Sequence, residues 1–388
     1  MAEQTARAQL IADIREAVAG VTARYDRAYF LRRAREGGDF DEIWEAMAAQ
    51  ELLGVGVPQE LGGTGGGLTG TTAIMETMSQ AGVPPLLYAS TSFSREAIIR
   101  HGSEAQIADL VVPTMAGKVR TCLAVTEPDA GTNAFAMRTR ARRVDSGDYV
   151  INGQKVFISG ADHADRLMLI ARTGPLDGPV GRRSGFSLFA VPRTLPGIEL
   201  RRMDIPWYAP ERQFEIFLTD VEVPAEALIG REGEGFECLL SCLNQERVMI
   251  SAWALGLGDF ALRKAVAYAK QRAPFGKPIG SYQAVAHPLA LAKANMEGAR
   301  HVMYQAAAQY DDGRDAGALA NMAKLLSSRA ALEALEAAIQ THGGHGFVVE
   351  NDVVTLWPMI RVLQIAPLNN ESILNFIGER VLGMPRSY

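Results

Sequence analysis

One carboxylate in this chain stands where charge is least expected. Leu239, Leu243, Glu246, Ile250, Trp253 and Leu257 follow alternating four- and three-residue spacing, which places them on one face of a helix. The other residues of that face are large and apolar, so it belongs against a core and Glu246 leaves water with it. Desolvation disfavours the charged form, raises the pKa and makes the ionised carboxylate a stronger base. Such a base suits removal of a weakly acidic proton beside a carbonyl. The same spacing also fits a buried ion pair, for instance with Arg263 or Arg300, that only holds helices together.

Two glycine-rich turns, Thr126-Glu-Pro-Asp-Ala-Gly-Thr132 and Gly343-Gly-His-Gly346, offer backbone N–H groups that suit phosphate oxygens, although such turns are also ordinary connections. Neither matches a nucleotide P-loop or the strand-to-helix dinucleotide fingerprint, which argues against a cofactor on a doubly wound sheet. The segment Gln271-Arg-Ala-Pro-Phe-Gly-Lys-Pro-Ile279 gathers cations and an aromatic at a helix end. Arg272 there suits either the negative end of the helix dipole or a pyrophosphate. His163, His342 and His345 lack a metal-binding partner pattern, and no Gly-x-Ser-x-Gly elbow is present.

The elements that must position these residues change character twice. Helical patterning covers 3–19, 39–53, 70–81, 86–101 and 103–117, with the glycine-rich stretch 61–67 as a turn. From Arg120 the period shortens to strands over 121–126, 138–144, 149–159, 166–173, 186–192 and 213–223, with a loop over 172–183. Long alanine-rich helices return over 236–271, 281–312, 315–341 and 370–382, as a bundle requires. The pattern predicts an α+β chain of three units: helical (1–118), β (119–232) and helical bundle (233–388).

Bulk properties narrow the partners. The chain has 388 residues, 48% of them hydrophobic, with 39 basic against 44 acidic side chains. A weakly acidic balance gives no electrostatic reason to expect nucleic acid or a membrane surface. No run of about 18 uncharged apolar residues appears, so no spanning helix is expected. Cys122, Cys238 and Cys242 form neither a disulfide framework nor a metal-ligand spacing. Together with an N-terminus lacking a secretory apolar core, this predicts a cytoplasmic protein.

In their order along the chain, the motifs resemble the acyl-CoA dehydrogenase superfamily. They are Glu60-Leu-Gly-Gly63, Val125-Thr-Glu-Pro-Asp-Ala-Gly-Thr132, Asn152-Gly-Gln-Lys-Val-Phe-Ile-Ser159, Asp220-Val-Glu-Val-Pro224, Glu246-Arg247, Arg272-Ala-Pro-Phe-Gly-Lys-Pro-Ile279 and Gln340-Thr-His-Gly-Gly-His-Gly346. The resemblance implies an N-terminal helical domain, a central β-barrel-like domain and a C-terminal four-helix bundle, assembled as a homotetramer. It implies non-covalent FAD between barrel and bundle, an acyl-CoA substrate, and an electron-transfer flavoprotein or similar acceptor. Leu123, Val125 and Thr126 match positions beside the flavin ring, with Gly131 and Thr132 in the following turn, and Phe157 and Ser159 match its other side. Arg272, Phe275, Gln283, Gln340, Gly343 and Gly344 match contacts to the FAD of an adjacent subunit. Thr132, Asn244 and Arg247 match positions near the acyl-CoA.

Most members carry the catalytic base in a C-terminal Glu-Gly-Thr motif. Here that stretch reads Ile365-Ala-Pro-Leu-Asn-Asn-Glu371, and the base position falls on Pro367. The isovaleryl-CoA and long-chain enzymes carry the base on an earlier helix, and Glu246 falls there. The usual backbone donor to the thioester oxygen falls on Pro367, which has no N–H, unless the register shifts by one residue. Asn369 and Glu371 stand where cofactor contacts are expected, and Glu371 also suits the N-terminus of the last helix. The implied reaction is α,β-dehydrogenation of an acyl thioester. The alternatives are a flavin oxidase or monooxygenase of the same fold, an enoyl-CoA reductase, and a non-enzymatic DNA-binding homologue. Net acidity weighs against the last.

Overall fold

The computed structural model describes residues 2–174 and 184–386, so the expected loop over 172–183 lies outside the described residues from 175 onward. The N-terminal third is helical: α1 (Ala2–Arg24), α2 (Arg27–Glu36), α3 (Asp41–Ala49), α4 (Gly67–Gln80), α5 (Leu86–His101), α6 (Glu104–Gln106) and α7 (Val112–Met115). Helix α2 falls outside the expected helices because it is short and half its residues are charged, although Phe30, Leu31 and Ala34 bury one face. Its caps are nonetheless regular: Asp26 accepts from the Tyr29 N–H at 2.9 Å, and Gly37 ends the helix at φ 74°.

Eight strands follow: β1 (Thr121–Ala124), β2 (Arg140–Arg143), β3 (Tyr149–Ser159), β4 (Arg166–Arg172), β5 (Phe186–Pro192), β6 (Ile198–Arg202), β7 (Gln213–Val223) and β8 (Leu228–Ile229). They form one sheet in the order β6-β7-β3-β2-β4-β5-β8, with β1 parallel to β4 off that path. The bounds of β3, β5 and β7 coincide with the predicted ones; burial varies along β3 and β7, while β5 is an almost continuously buried apolar run. Strand β6 was not expected; it is a short, charged edge strand beside β7.

The C-terminal part comprises α8 (Gly235–Gln271), α9 (Gln283–Asp311), α10 (Gly317–His342), α11 (Trp357–Arg361) and α12 (Asn370–Phe376), the last continued by a π turn over Ile377–Val381. The 37 residues of α8 make it the spine, packed against α4, α5, α9 and α10. Gly256 permits the α4 crossing: a Cβ there would stand 2.4 Å from Ser79 Cβ and 2.5 Å from the Glu76 carbonyl. The main core runs through all three parts, including Trp44, Tyr88, Ile151, Leu169, Trp253 and Leu335. A second apolar cluster joins α5 and the start of α8 to β4 and β5 through Phe93, Ile170, Leu188, Phe236 and Cys242. Among the described residues, no helix is long and apolar enough to cross a membrane.

Candidate active site

The turn carrying Thr126, Gly131 and Thr132 is held from beneath by charge. Glu127, buried, accepts from the Arg138 N–H at 2.5 Å, the Thr139 N–H at 3.0 Å and Lys155 Nζ at 2.8 Å. Lys155, on β3 and fully buried, also donates to the Val125 carbonyl at 3.0 Å. Burial pulls the Lys155 ammonium down to about 8, and Glu127 opposes that pull. Every buried charge is thus met, and the turn is a fixed platform with Gly131 and Thr132 exposed on its rim.

Beside it, β3 departs from regular pairing with β7 between Lys155 and Ile158. Phe157 takes φ 59°, a left-handed conformation uncommon for an aromatic residue, and its ring is 60% exposed. Such a backbone persists only when its surroundings enforce it, and it clusters at ligand sites. Ile158 turns inward and Ser159 turns outward again, where Gln213 Nε2 donates to its hydroxyl at 2.7 Å.

Glu246 lies on α8, whose first turns pack on the same apolar cluster as β1. Leu243, one turn earlier, packs against the same apolar cluster as Leu123 and Val125. Trp253, two turns later, meets Trp207 edge-on with centroids 6.4 Å apart. The ion pairs suggested by the spacing are not formed among the described residues. Arg300 is taken by Glu76, Asp259 and Glu297, and Arg263 donates to the Gln80 carbonyl. Glu246 makes no hydrogen bond or ion pair among the described residues. The carboxylate is half-buried, and loss of water pushes its pKa up to about 7 against the opposing pull of Arg247. Arg247 itself holds Asn244 Oδ1 at 3.0 Å, while its buried Nε has no partner.

The segment that replaces Glu-Gly-Thr is anchored by a lysine that the sequence did not single out. Lys324, buried on α10, donates to the Leu368 carbonyl at 2.5 Å and to Asn370 Oδ1 at 3.0 Å. Ala366–Pro367 is a cis peptide. Asn369 caps α12 by accepting from the Ser372 N–H at 2.7 Å, and its Nδ2 donates to Thr132 Oγ1 at 3.0 Å. This last bond ties the start of α12 to the turn that follows β1. Glu371 lies exposed in the first turn of α12, where a carboxylate favours the helix dipole.

Arg272, Phe275, Gln283, Gln340, Gly343 and Gly344 collect elsewhere, at the opposite end of the bundle, and all are exposed. Tyr268 of α8 stacks on His342 of α10 with centroids 4.5 Å apart, which brings the two helix ends together. Arg272 caps α8 and lies about 39 Å along the helix axis from Glu246, at 1.5 Å per residue. A Cβ on Gly343 or Gly344 would meet nothing within 4 Å, so both glycines border open space, with the Gly343 N–H given to the Gln340 carbonyl. One chain therefore holds these residues in two separate clusters rather than one.

Sequence reading missed three positioning residues: Glu127 and Lys155, quoted within motifs but given no task, and Lys324. Opposite charges inside two apolar-flanked motifs are a usable signal for the first pair. Lys324 lies in an alanine-rich helix with no local mark of its partner.

Comparison with known proteins places this geometry. The family models described as acyl-CoA dehydrogenase N-terminal, middle and C-terminal domains match residues 10–118, 122–221 and 233–382. Acyl-CoA dehydrogenase FadE12 of Mycobacterium tuberculosis is 39% identical over 378 residues, 97% of this chain and 96% of its own. The caffeyl-CoA reductase-Etf complex subunit CarC of Acetobacterium woodii is 33% identical over 343 residues, covering 86% of this chain and 88% of its own. The structure of butyryl-CoA dehydrogenase from Megasphaera elsdenii superposes with a TM-score of 0.90 at 28% identity, covering 96% of this chain and 98% of that one.

Proposed function

The chain belongs to the acyl-CoA dehydrogenase family of oxidoreductases, and from that premise we propose that it oxidises an acyl-CoA thioester to the 2-enoyl-CoA with Glu246 as the α-proton base. The observation that carries this reading is the partnerless Glu246 carboxylate on an apolar wall, with its pKa lifted to about 7 by lost hydration. A carboxylate committed to an arginine is a poor base; one held only by its surroundings is a good one.

The residues fit FAD. The exposed Phe157 ring and the Ser159 hydroxyl share one face, Thr126 and Leu123 border the other side, and Gly131 and Thr132 offer an open rim for phosphate oxygens. Bound FAD would supply the hydride acceptor for the β-hydrogen. The protein then has three tasks. Glu246 takes the proton from the α-carbon onto its carboxylate, Leu239, Leu243 and Ile250 exclude water around it, and Asn244 with Arg247 orients the acyl-CoA. The unmet Arg247 Nε suits an acceptor on that substrate.

The far cluster of Arg272, Phe275, Gln283, Gln340, Gly343 and Gly344 would grip the cofactor of a neighbouring copy, so the reading includes a homotetramer. Large apolar side chains left on the outside of the bundle support it, among them Phe275 at 81% and Phe347 at 71% exposed. Three units over 1–118, 119–232 and 233–388, an electron-transfer flavoprotein or similar acceptor, and a cytoplasmic setting with its cysteines free complete the proposal. Running in reverse as an enoyl-CoA reductase is the second reading, favoured by the similarity to CarC; Glu246 would then deliver its proton to the α-carbon.

Anaerobic mixing of the purified protein with a panel of acyl-CoAs, following flavin bleaching, tests the reading. Bleaching by at least one saturated thioester is expected. A Glu246→Gln variant that keeps bound FAD yet still bleaches at the wild-type rate would eliminate the base. Bleaching by no thioester, with reoxidation of the reduced protein by an enoyl-CoA, would replace the first reading with the second.

A further inference from the structure

We propose that Gln213 is a positioning residue that fixes the direction in which the Ser159 hydroxyl donates, aiming its hydrogen at an acceptor atom on the edge of the flavin ring. The inference rests on the FAD reading above and assigns a task to a side chain outside every motif that led to it. Ser159 is the last residue of β3 and Gln213 the first of β7, and the two are register partners in the antiparallel pair. Gln213 is 8% exposed, while Ser159 lies half-buried at the cleft wall on the same outward face as Phe157.

A hydroxyl has one hydrogen to give and two lone pairs to fill. Gln213 Nε2 fills one lone pair at 2.7 Å. No described residue accepts the Ser159 hydrogen, so it remains for a group outside the chain. Because the amide N–H occupies one side of the oxygen, the O–H bond is directed away from Gln213. A serine without that partner rotates freely and gives its hydrogen to either side.

The backbone around the pair is fixed well enough to hold this polarity. The Gln213 carbonyl accepts from the Met203 N–H at 2.8 Å, and the Arg212 carbonyl accepts from the Gly160 N–H at 2.7 Å. Two residues earlier, Glu211 is fully buried and accepts from the Leu86 N–H at 3.0 Å and the Leu87 N–H at 3.4 Å. Leu87 in turn packs over Gly160, where a Cβ would meet it at 2.8 Å. The start of α5, the end of β3 and the start of β7 therefore form one unit beneath the Ser159 hydroxyl.

A double-mutant cycle with Gln213→Met and Ser159→Ala tests the assignment, reading the dissociation constant for FAD and the visible absorption bands of the bound flavin. Each single variant is expected to weaken FAD binding by about 3- to 10-fold, the worth of one hydrogen bond, and to shift those bands. The double variant should lose no more than Ser159→Ala alone, and Ser159→Thr should behave as wild type. Additive losses, or a Gln213→Met protein with unchanged flavin bands while Ser159→Ala shifts them, would overturn the inference and leave the FAD reading standing. A wild-type protein that takes up no FAD would sink both. Melting curves of all variants are run alongside; a general loss of packing lowers melting in every background and leaves no coupling between the two sites.

Discussion

Two carboxylates on the spine helix α8 stand 13 residues apart and have opposite fates. Asp259 accepts from Gln80 Nε2 at 3.0 Å and Lys293 Nζ at 3.2 Å, and pairs with Arg300. Arg300 also grips the fully buried Glu76, whose other oxygen accepts from Tyr304 at 2.7 Å. Glu246 has none of this. One helix thus carries a carboxylate satisfied from α4 and α9 and another left to its surroundings. The fold met the charges it needed for assembly and left one unmet beside the cleft. Glu211 adds a control: burial lifts its pKa to about 7 as well, yet one of its oxygens is committed to two backbone N–H groups. A raised pKa alone does not mark a base; the role proposed for Glu246 rests on its lack of partners as well.

The contrast can be broken most forcefully by exchanging charge for its neutral isostere. Glu246→Gln should lower the turnover rate by about 10²- to 10⁴-fold, the usual worth of a general base, without lowering the melting temperature. Arg300→Met should do the reverse. It removes the guanidinium shared by Glu76 and Asp259, leaving Glu76 buried beside Tyr304, costs about 3–5 kcal/mol of stability by urea unfolding, and leaves the pH profile of turnover in place.

A pH series sharpens the difference further. Ionised Glu246 is the active form, so kcat/KM for the dehydrogenation should rise with pH through about 7 and level off above it. Stability runs the other way. With a folded pKa raised from 4.5 to about 7, Glu246 favours the unfolded state progressively as pH climbs across that window. Glu211, raised over the same range, adds to the decline. The Glu246→Gln variant should lose the kinetic limb and part of the stability slope together; a limb that survives in the variant belongs to another group. The smallest effect is expected at Asn369→Ala, which removes the α12 cap and the bond to Thr132. Loss of the cap costs about 1 kcal/mol, and loss of the bridge should appear as a modest rise in KM.

Legibility in the sequence follows the range of the forces concerned. Strands β3, β5 and β7 and helices α8 to α10 were readable because each buries a regular face, and that periodicity is local. Helix α2 and strand β6 escaped because half or more of their residues are charged, which masks the short apolar face of the helix and leaves the strand only an edge pairing. The candidate base was readable as a position, since a carboxylate interrupting an apolar stripe is visible within five turns. Whether it was free was not readable, because the arginine that might have neutralised it is claimed by Glu76, more than two hundred residues away in the chain.

What the sequence determined by itself is therefore the helical and β character of each stretch, the apolar face bearing Glu246, and the hydroxyl at Ser159. Tertiary structure alone decided that Arg300 faces α4, that Lys324 holds the segment after Pro367, that Asn369 reaches Thr132, and that Gln213 sits behind Ser159. Periodic burial is written into neighbouring residues. The pairing of charges and the direction of a hydroxyl hydrogen depend on side chains that meet only once the chain has folded.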